Sequence, residues 1–347
     1  MDKESFALSH GTVEHCTFES DKPKITNFIS ARSKNFDFLE CEEMGIGQPK
    51  RCSGCLNCKL CSMKYQEMSR KDHRELDMIR SNMELDTDKK QVSFSYPFIK
   101  DPSVLQDNRK QAVSMAEQLE KRLLKNGGLK AYNDEIENYV DRGVIRELSK
   151  EELESWSGGV NYISHHGVFK KSSATTKLRI VSNSSLDNNG QGVSLNSCLP
   201  KGPNSLSSLV EVFVTFRGYE NVVCWDLYKA YNSVVTTPVE GHLRRMVWRF
   251  GNTSEEWKTF IFEKMAFGDR PAGCALEVAK QMIFEEGEKI CPKTAKIMKR
   301  GSYVDDSNGG GDEETVELLM GKRRDVDGHY YYDGTVSKIL AEGGMRP

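Results

Sequence analysis

The clearest pattern in the chain is the helical spacing of Ala112, Met115, Ala116, Leu119, Leu123 and Leu124, which predicts an amphipathic helix over Asn108 to Lys125, closed by Gly127-Gly128. A second run, Leu129 to Arg142, places Leu129, Tyr132, Ile136, Tyr139 and Val140 inward and stops at Gly143. From Val144 the texture changes to short strand-like pieces: Val144 to Leu148, Asn161 to Lys170, Lys177 to Ser182, Asn221 to Asp226, Thr259 to Met265 and His329 to Tyr332. Helical stretches are predicted between and after them, over Val239 to Phe250, Ala272 to Glu285, Thr315 to Lys322 and Val336 to Ala341. Strands mixed with helices of unequal length, without a regular repeat, predict an α+β fold and not a doubly wound sheet.

The N-terminal third reads differently. Residues 1–50 carry few periodic apolar positions and many turn formers, the pattern of a linker or weakly ordered segment. Residues 51–100 hold a cysteine cluster followed by a charged linker, 101–220 hold the predicted helices and first strands, and 221–347 form the last unit. In a chain of 347 residues the longest apolar stretch, Leu209 to Phe216, is interrupted by Glu211 and falls far short of the roughly 20 residues a membrane-spanning helix needs. Met1-Asp2-Lys3-Glu4-Ser5 has no basic region leading into an apolar one, so no secretory leader is expected and the 10 cysteines are expected mostly reduced. With 49 basic and 51 acidic residues the net charge is −2, and any site for a polyanion has to be a local patch.

Chemistry concentrates at Tyr303-Val304-Asp305-Asp306, a β-type pair leading into two adjacent carboxylates and a predicted turn, Ser307-Asn308-Gly309-Gly310-Gly311. Two such charges about 4 Å apart repel by roughly 4 kcal/mol at an effective dielectric of 20. Alone, the segment reads as a solvated Asx-type turn. A third carboxylate changes that. Asn221 to Asp226 is a buried-strand pattern ending in an acid, and an unpaired buried carboxylate is costly unless it finds a cation or donors. Three acids of this kind can hold two Mg²⁺ ions about 3.5–4 Å apart, the arrangement that serves phosphoryl displacement.

Asp226-Leu227-Tyr228-Lys229-Ala230-Tyr231 followed by Tyr303-Val304-Asp305-Asp306 resembles the A and C motifs of reverse transcriptase palms. Between them, Met265 to Ala272 looks like the B motif, and upstream Leu178 to Ser185 looks like the fingers strand. More narrowly, Asn161-Tyr162-Ile163-Ser164-His165-His166, Lys201-Gly202-Pro203-Asn204-Ser205 and the cysteine cluster are similar to the polyproteins of BEL/Pao-type retrotransposons, from about Cys41 onward. The resemblance implies fingers within 101–220, a palm over 221–347, and a helical, cysteine-bearing N-terminal extension. It implies an RNA-directed DNA polymerase that adds deoxynucleoside triphosphates to a primer on an RNA or DNA template with two Mg²⁺ ions. Asp226, Asp305 and Asp306 would form the carboxylate set, with Asp226 and Asp305 the direct metal ligands. Arg179 would contact the triphosphate, with Lys170 or Lys171 assisting. Tyr231 falls at the aromatic position that excludes a ribose 2′-hydroxyl, and Gly268, after Phe267, would let backbone approach the nucleotide.

The sequence departs from the family pattern at two places: Phe267 stands where many retroviral enzymes have Gln, and Gly273 where a Pro is common. The resemblance also stops at Pro347, ahead of the primer grip and thumb, so it implies a longer polyprotein, intracellular and cytoplasmic and carried in virus-like particles. Two other readings stay open: a catalytically inactive nucleic-acid-binding remnant, and a zinc-binding interaction module. The latter rests on Cys52, Cys55, Cys58 and Cys61, whose repeated C-x2-C spacing suits Zn²⁺ with four sulfurs, with Cys41 as an alternative ligand. His165-His166 tempts as a metal pair, but neighbours on a strand point to opposite faces, and fingers packing with template contact is the expected role.

Overall fold

The structure, a computed structural model, describes residues 69–169, 178–203, 209–324 and 330–347. The cysteines Cys52, Cys55, Cys58 and Cys61, the lysines Lys170 and Lys171, and the whole of residues 1–50 lie outside the described residues.

The expected charged linker gives way to ordered structure. Helix α1 (Arg70–Ser81) opens on Ser69, whose hydroxyl oxygen accepts from the Asp72 amide, and leads into a hairpin of β1 (Met83–Asp86) and β2 (Gln91–Phe94). Ile79, Met83, Val92 and Phe94 are buried in the main core, with Leu76 and Leu85 packed against it, and this burial is what folds so polar a segment. Next come α2 (Arg109–Lys125), α3 (Leu129–Asp141) and β3 (Ile145–Glu147). The two predicted helices are present, closed by left-handed Gly127 and Gly143, although Leu124 and Val140 point outward.

The chain continues through α4 (Lys150–Ser155), β4 (Ser164–Phe169), β5 (Leu178–Asn183), α5 (Leu195–Cys198), α6 (Leu209–Arg217) and β6 (Asn221–Asp226). After β7 (Val235–Thr236) and α7 (Pro238–His242) it forms β8 (Arg245–Trp248) and β9 (Lys258–Phe262). The last part holds α8 (Ala272–Gly287), α9 (Pro292–Gly301), β10 (Ser302–Tyr303), β11 (Asp306–Gly311), α10 (Glu313–Met320), β12 (Lys322–Arg324), β13 (Tyr330–Tyr332) and α11 (Thr335–Ala341). The described strands make small sheets ordered β1-β2-β7, β3-β9-β8, β4-β5, β10-β11-β6 and β12-β13, so the fold is α+β. No helix among the described residues is long and apolar enough to cross a membrane.

Two predicted elements are replaced. The helix expected over Val239 to Phe250 is a short helix and then β8, antiparallel to β9. Met246 and Trp248 enter the main core while Val247 packs with Ala112, Ala116 and Tyr162 in a second cluster. A strand buried on both faces shows no alternation to read. The turn expected over Ser307 to Gly311 is instead strand β11, paired along its whole length with β6. Its glycines answer to crowding: a Cβ on Gly309 would stand 2.7 Å from Ile297 of α9, and one on Gly310 would collide with the Asn221 carbonyl of the partner strand.

Candidate functional site

Strand β6 runs apolar through Val222, Val223 and Trp225 and ends on Asp226 at its exposed tip. The antiparallel register sets Asp226 directly opposite Asp306, and Leu227 donates its amide to the Asp305 carbonyl oxygen at 2.8 Å. Three acids separated by some eighty positions of sequence are therefore gathered by one strand pair. Partial burial, Asp305 and Asp306 push the Asp226 carboxyl up to about 6, against the opposing pull of Arg179. Asp306 is likewise raised, by burial and then by Asp305.

Arg179, exposed on β5 opposite Val168, is the basic group that acts on Asp226. Lys229, which follows β6, has its pKa lowered by burial and then by Arg142 and Arg179. Tyr231, half-buried in the turn of 3-10 helix Ala230–Ser233, packs its ring 4.5 Å from that of Phe267 and feels the charge of Asp305. Gly268 has φ +106, and the side where a Cβ would stand is filled by the Ser182 carbonyl oxygen. Ser182 donates its hydroxyl to the Phe267 carbonyl oxygen at 2.5 Å, so the close approach that Gly268 permits in this structure is to β5.

The donor chemistry fits a hard divalent cation: carboxylate oxygens, mutually repelling, with one arginine to offset them. Among the described residues no three His, Cys, Asp or Glu side chains form a ready-made metal cage. Mg²⁺ asks less than that, since one or two carboxylates with water and substrate phosphates complete its shell. On the face of the sheet that bears Asp226 and Asp306, a cavity of about 610 Å³ opens against Val212, Phe213 and Phe216 of α6.

Sequence reasoning missed the supports of this site. Asp269 is fully buried, accepts from Tyr96 Oη and Ser184 Oγ at 2.5 Å each, and pairs with buried Arg244 at 3.3 Å. That network ties the loop after Phe267 to β5 and to the segment after β2, and burial beside these charges drives the Tyr96 phenol well above its usual range. Lys280, on the otherwise apolar middle of α8, is 1% exposed and reaches the hairpin that bears Asp305. The available signal was a Glu277–Lys280 pair set three apart among Ala275, Val278, Ala279 and Ile283. Of the histidine pair only His165 has the expected packing role: it is buried, accepts from Tyr132 Oη at 2.5 Å and donates Nε2–H to the Val247 carbonyl at 3.1 Å, while His166 is exposed.

A comparison of the chain with protein-family models finds no match, and a comparison with curated proteins finds none at a significant level.

Proposed function

We propose that the chain is the fingers-and-palm part of an RNA-directed DNA polymerase of the BEL/Pao retrotransposon kind. The observation that carries this reading is the pairing of Asp226 opposite Asp306, with Asp305 tied to Leu227 and Arg179 close enough to act on Asp226. Ordered motifs of the A, B and C type support it, because the residues at those motifs meet in one place.

In this reading Arg179 binds the triphosphate of the incoming nucleotide, where its planar guanidinium offers paired donors to phosphate oxygens. Tyr231, held by Phe267, fills the space a ribose 2′-hydroxyl needs and so favours deoxynucleotides. Asp226 and Asp305 would hold Mg²⁺, and bound Mg²⁺ supplies charge neutralisation at the phosphates and a more acidic primer 3′-hydroxyl. The pairing across β6 and β11 fixes where these oxygens stand before substrate arrives, and the clustered carboxylates keep a negative pocket that attracts the cation.

The test is primer extension on poly(rA)·oligo(dT) with Mg²⁺, comparing the chain with Asp226→Asn and Asp305→Asn. Incorporation by the wild-type chain that both substitutions abolish is the expected result. Undiminished extension by either variant rules the mechanism out, and binding of primed template without incorporation assigns the chain to the inactive remnant.

A further inference from the structure

Lys280 is the buried cation nearest the Asp305 hairpin for which the proposed reaction has no use. Its ammonium pairs with Glu277 Oε1 at 2.7 Å on its own helix and donates to Ser302 Oγ at 2.9 Å and to the Val304 carbonyl oxygen at 2.6 Å. The last two lie at the start of the hairpin, so one side chain from α8 spans its first strand and its turn. Val304 has φ +55 and is the one β-branched residue among the described residues with positive φ. A branched side chain is strongly disfavoured there, and such strain persists only where surrounding contacts over-determine it. The contact at that peptide is the Lys280 ammonium, and a charge-assisted bond to a carbonyl oxygen in a dry site is a strong one. Lysine so fully enclosed is rare unless paired, which marks the placement as a built feature of the helix.

We propose that Lys280 is a positioning residue: its ammonium holds the Val304 peptide in the left-handed conformation and so sets where Asp305 meets a divalent cation. The inference rests on the polymerase reading of the carboxylates, and it extends that reading from the ligands to the group that places them. Glu277 pairs with the ammonium from the same helix and Ser302 Oγ accepts one of its hydrogens, while another reaches the carbonyl of the strained turn.

The test uses the full chain and Mn²⁺ alone, with free Mn²⁺ followed by electron paramagnetic resonance and folding by thermal unfolding. Lys280→Met, of similar length and without charge, is expected to weaken Mn²⁺ binding by roughly tenfold to a hundredfold, the usual loss when a group supporting metal ligands is removed. Because glycine adopts positive φ freely, Val304→Gly in the Lys280→Met background is expected to recover most of that loss. A folded Lys280→Met chain with unchanged Mn²⁺ affinity overturns the proposal, and so does a loss that Val304→Gly leaves unrepaired, since the conformation of that peptide is then not what the metal site lost. Should Lys280→Met not fold, acetic anhydride labelling of the wild-type chain decides. Mn²⁺ is expected to slow acetylation of Lys280 relative to exposed Lys289, and an unchanged ratio overturns the clamp. A wild-type chain that binds no Mn²⁺ and extends no primer ends the polymerase reading itself and the clamp with it; Mn²⁺ binding indifferent to Lys280 ends the clamp alone.

Discussion

Asp226 and Asp306 face each other across the β6–β11 ladder with both side chains on one side of the sheet. Directly opposed residues in an antiparallel pair stand with Cα atoms about 4.5–5.5 Å apart, close enough for like charges to destabilise. The fold therefore spends stability to bring these carboxylates together, which makes the pairing informative about purpose.

The first consequence is a stability cost that depends on pH. The folded-state pKa of Asp226 is about 6 and its ordinary value 3.8, so the folded chain holds this proton more tightly. The stability this provides is complete below about pH 4 and is lost as pH rises through 6. Asp226→Asn is expected to unfold at a higher temperature than the wild-type chain at pH 8, with the advantage gone at pH 4. Calorimetry at the two values checks this; equal midpoints at pH 8 refute the repulsion.

His165 works in the opposite sense. Burial holds its pKa near 4, against an ordinary 6.5, so protons favour the unfolded chain. Its contribution is intact above pH 6.5 and is lost as pH falls towards 4, by on the order of 3 kcal/mol in full. His165→Gln is expected to flatten the acid limb of a stability–pH curve measured by urea unfolding. The flattening is partial because His242, also lowered to about 4, remains. An acid limb as steep as that of the wild-type chain contradicts the assignment.

Tyr231 gives a test of sugar choice. With its ring braced 4.5 Å from Phe267, it cannot swing aside cheaply. Tyr231→Ala is expected to raise ribonucleotide over deoxynucleotide kcat/KM by about tenfold or more, the equivalent of 1.4 kcal/mol of discrimination. Steady-state incorporation of single nucleotides measures it, and an unchanged ratio removes the role.

Two glycines a few residues apart are expected to answer a methyl group with opposite signs. Gly268→Ala drives a Cβ into the Ser182 carbonyl at φ +106 and is expected to cost about 1–3 kcal/mol or more. Gly273→Ala meets no atom within 4 Å on helix α8 and is expected to stabilise by up to about 1 kcal/mol. Chemical denaturation of both variants reads the signs directly.

Strand β6 was legible because Val222, Val223 and Trp225 are strand formers and end abruptly on an acid. Helices α2 and α3 were legible because water lies along one side of each and imposes a period. Strand β8 was not, since Met246 and Val247 serve different clusters and all four of its residues, Arg245 included, are buried. Strand β11 was not, because glycine carries no strand preference and the strand it pairs with, β6, lies some eighty positions earlier in the chain. At the site, the acids could be named from their motifs. Lys280 and Asp269 could not, because a charged residue in a sequence reads as solvated until its buried partners are known.

The parallel pairing of Ser93 with Val235 has a consequence for how the protein is made. The hairpin of β1 and β2 leaves the ribosome more than 140 residues before the strand that completes its sheet. At roughly 5–20 residues per second that wait is about seven to thirty seconds, during which one edge of β2 is open to any extended peptide nearby. Synthesis of this chain therefore carries an aggregation hazard while its middle third is still being translated, and a chaperone acting on nascent chains would find a target in that interval.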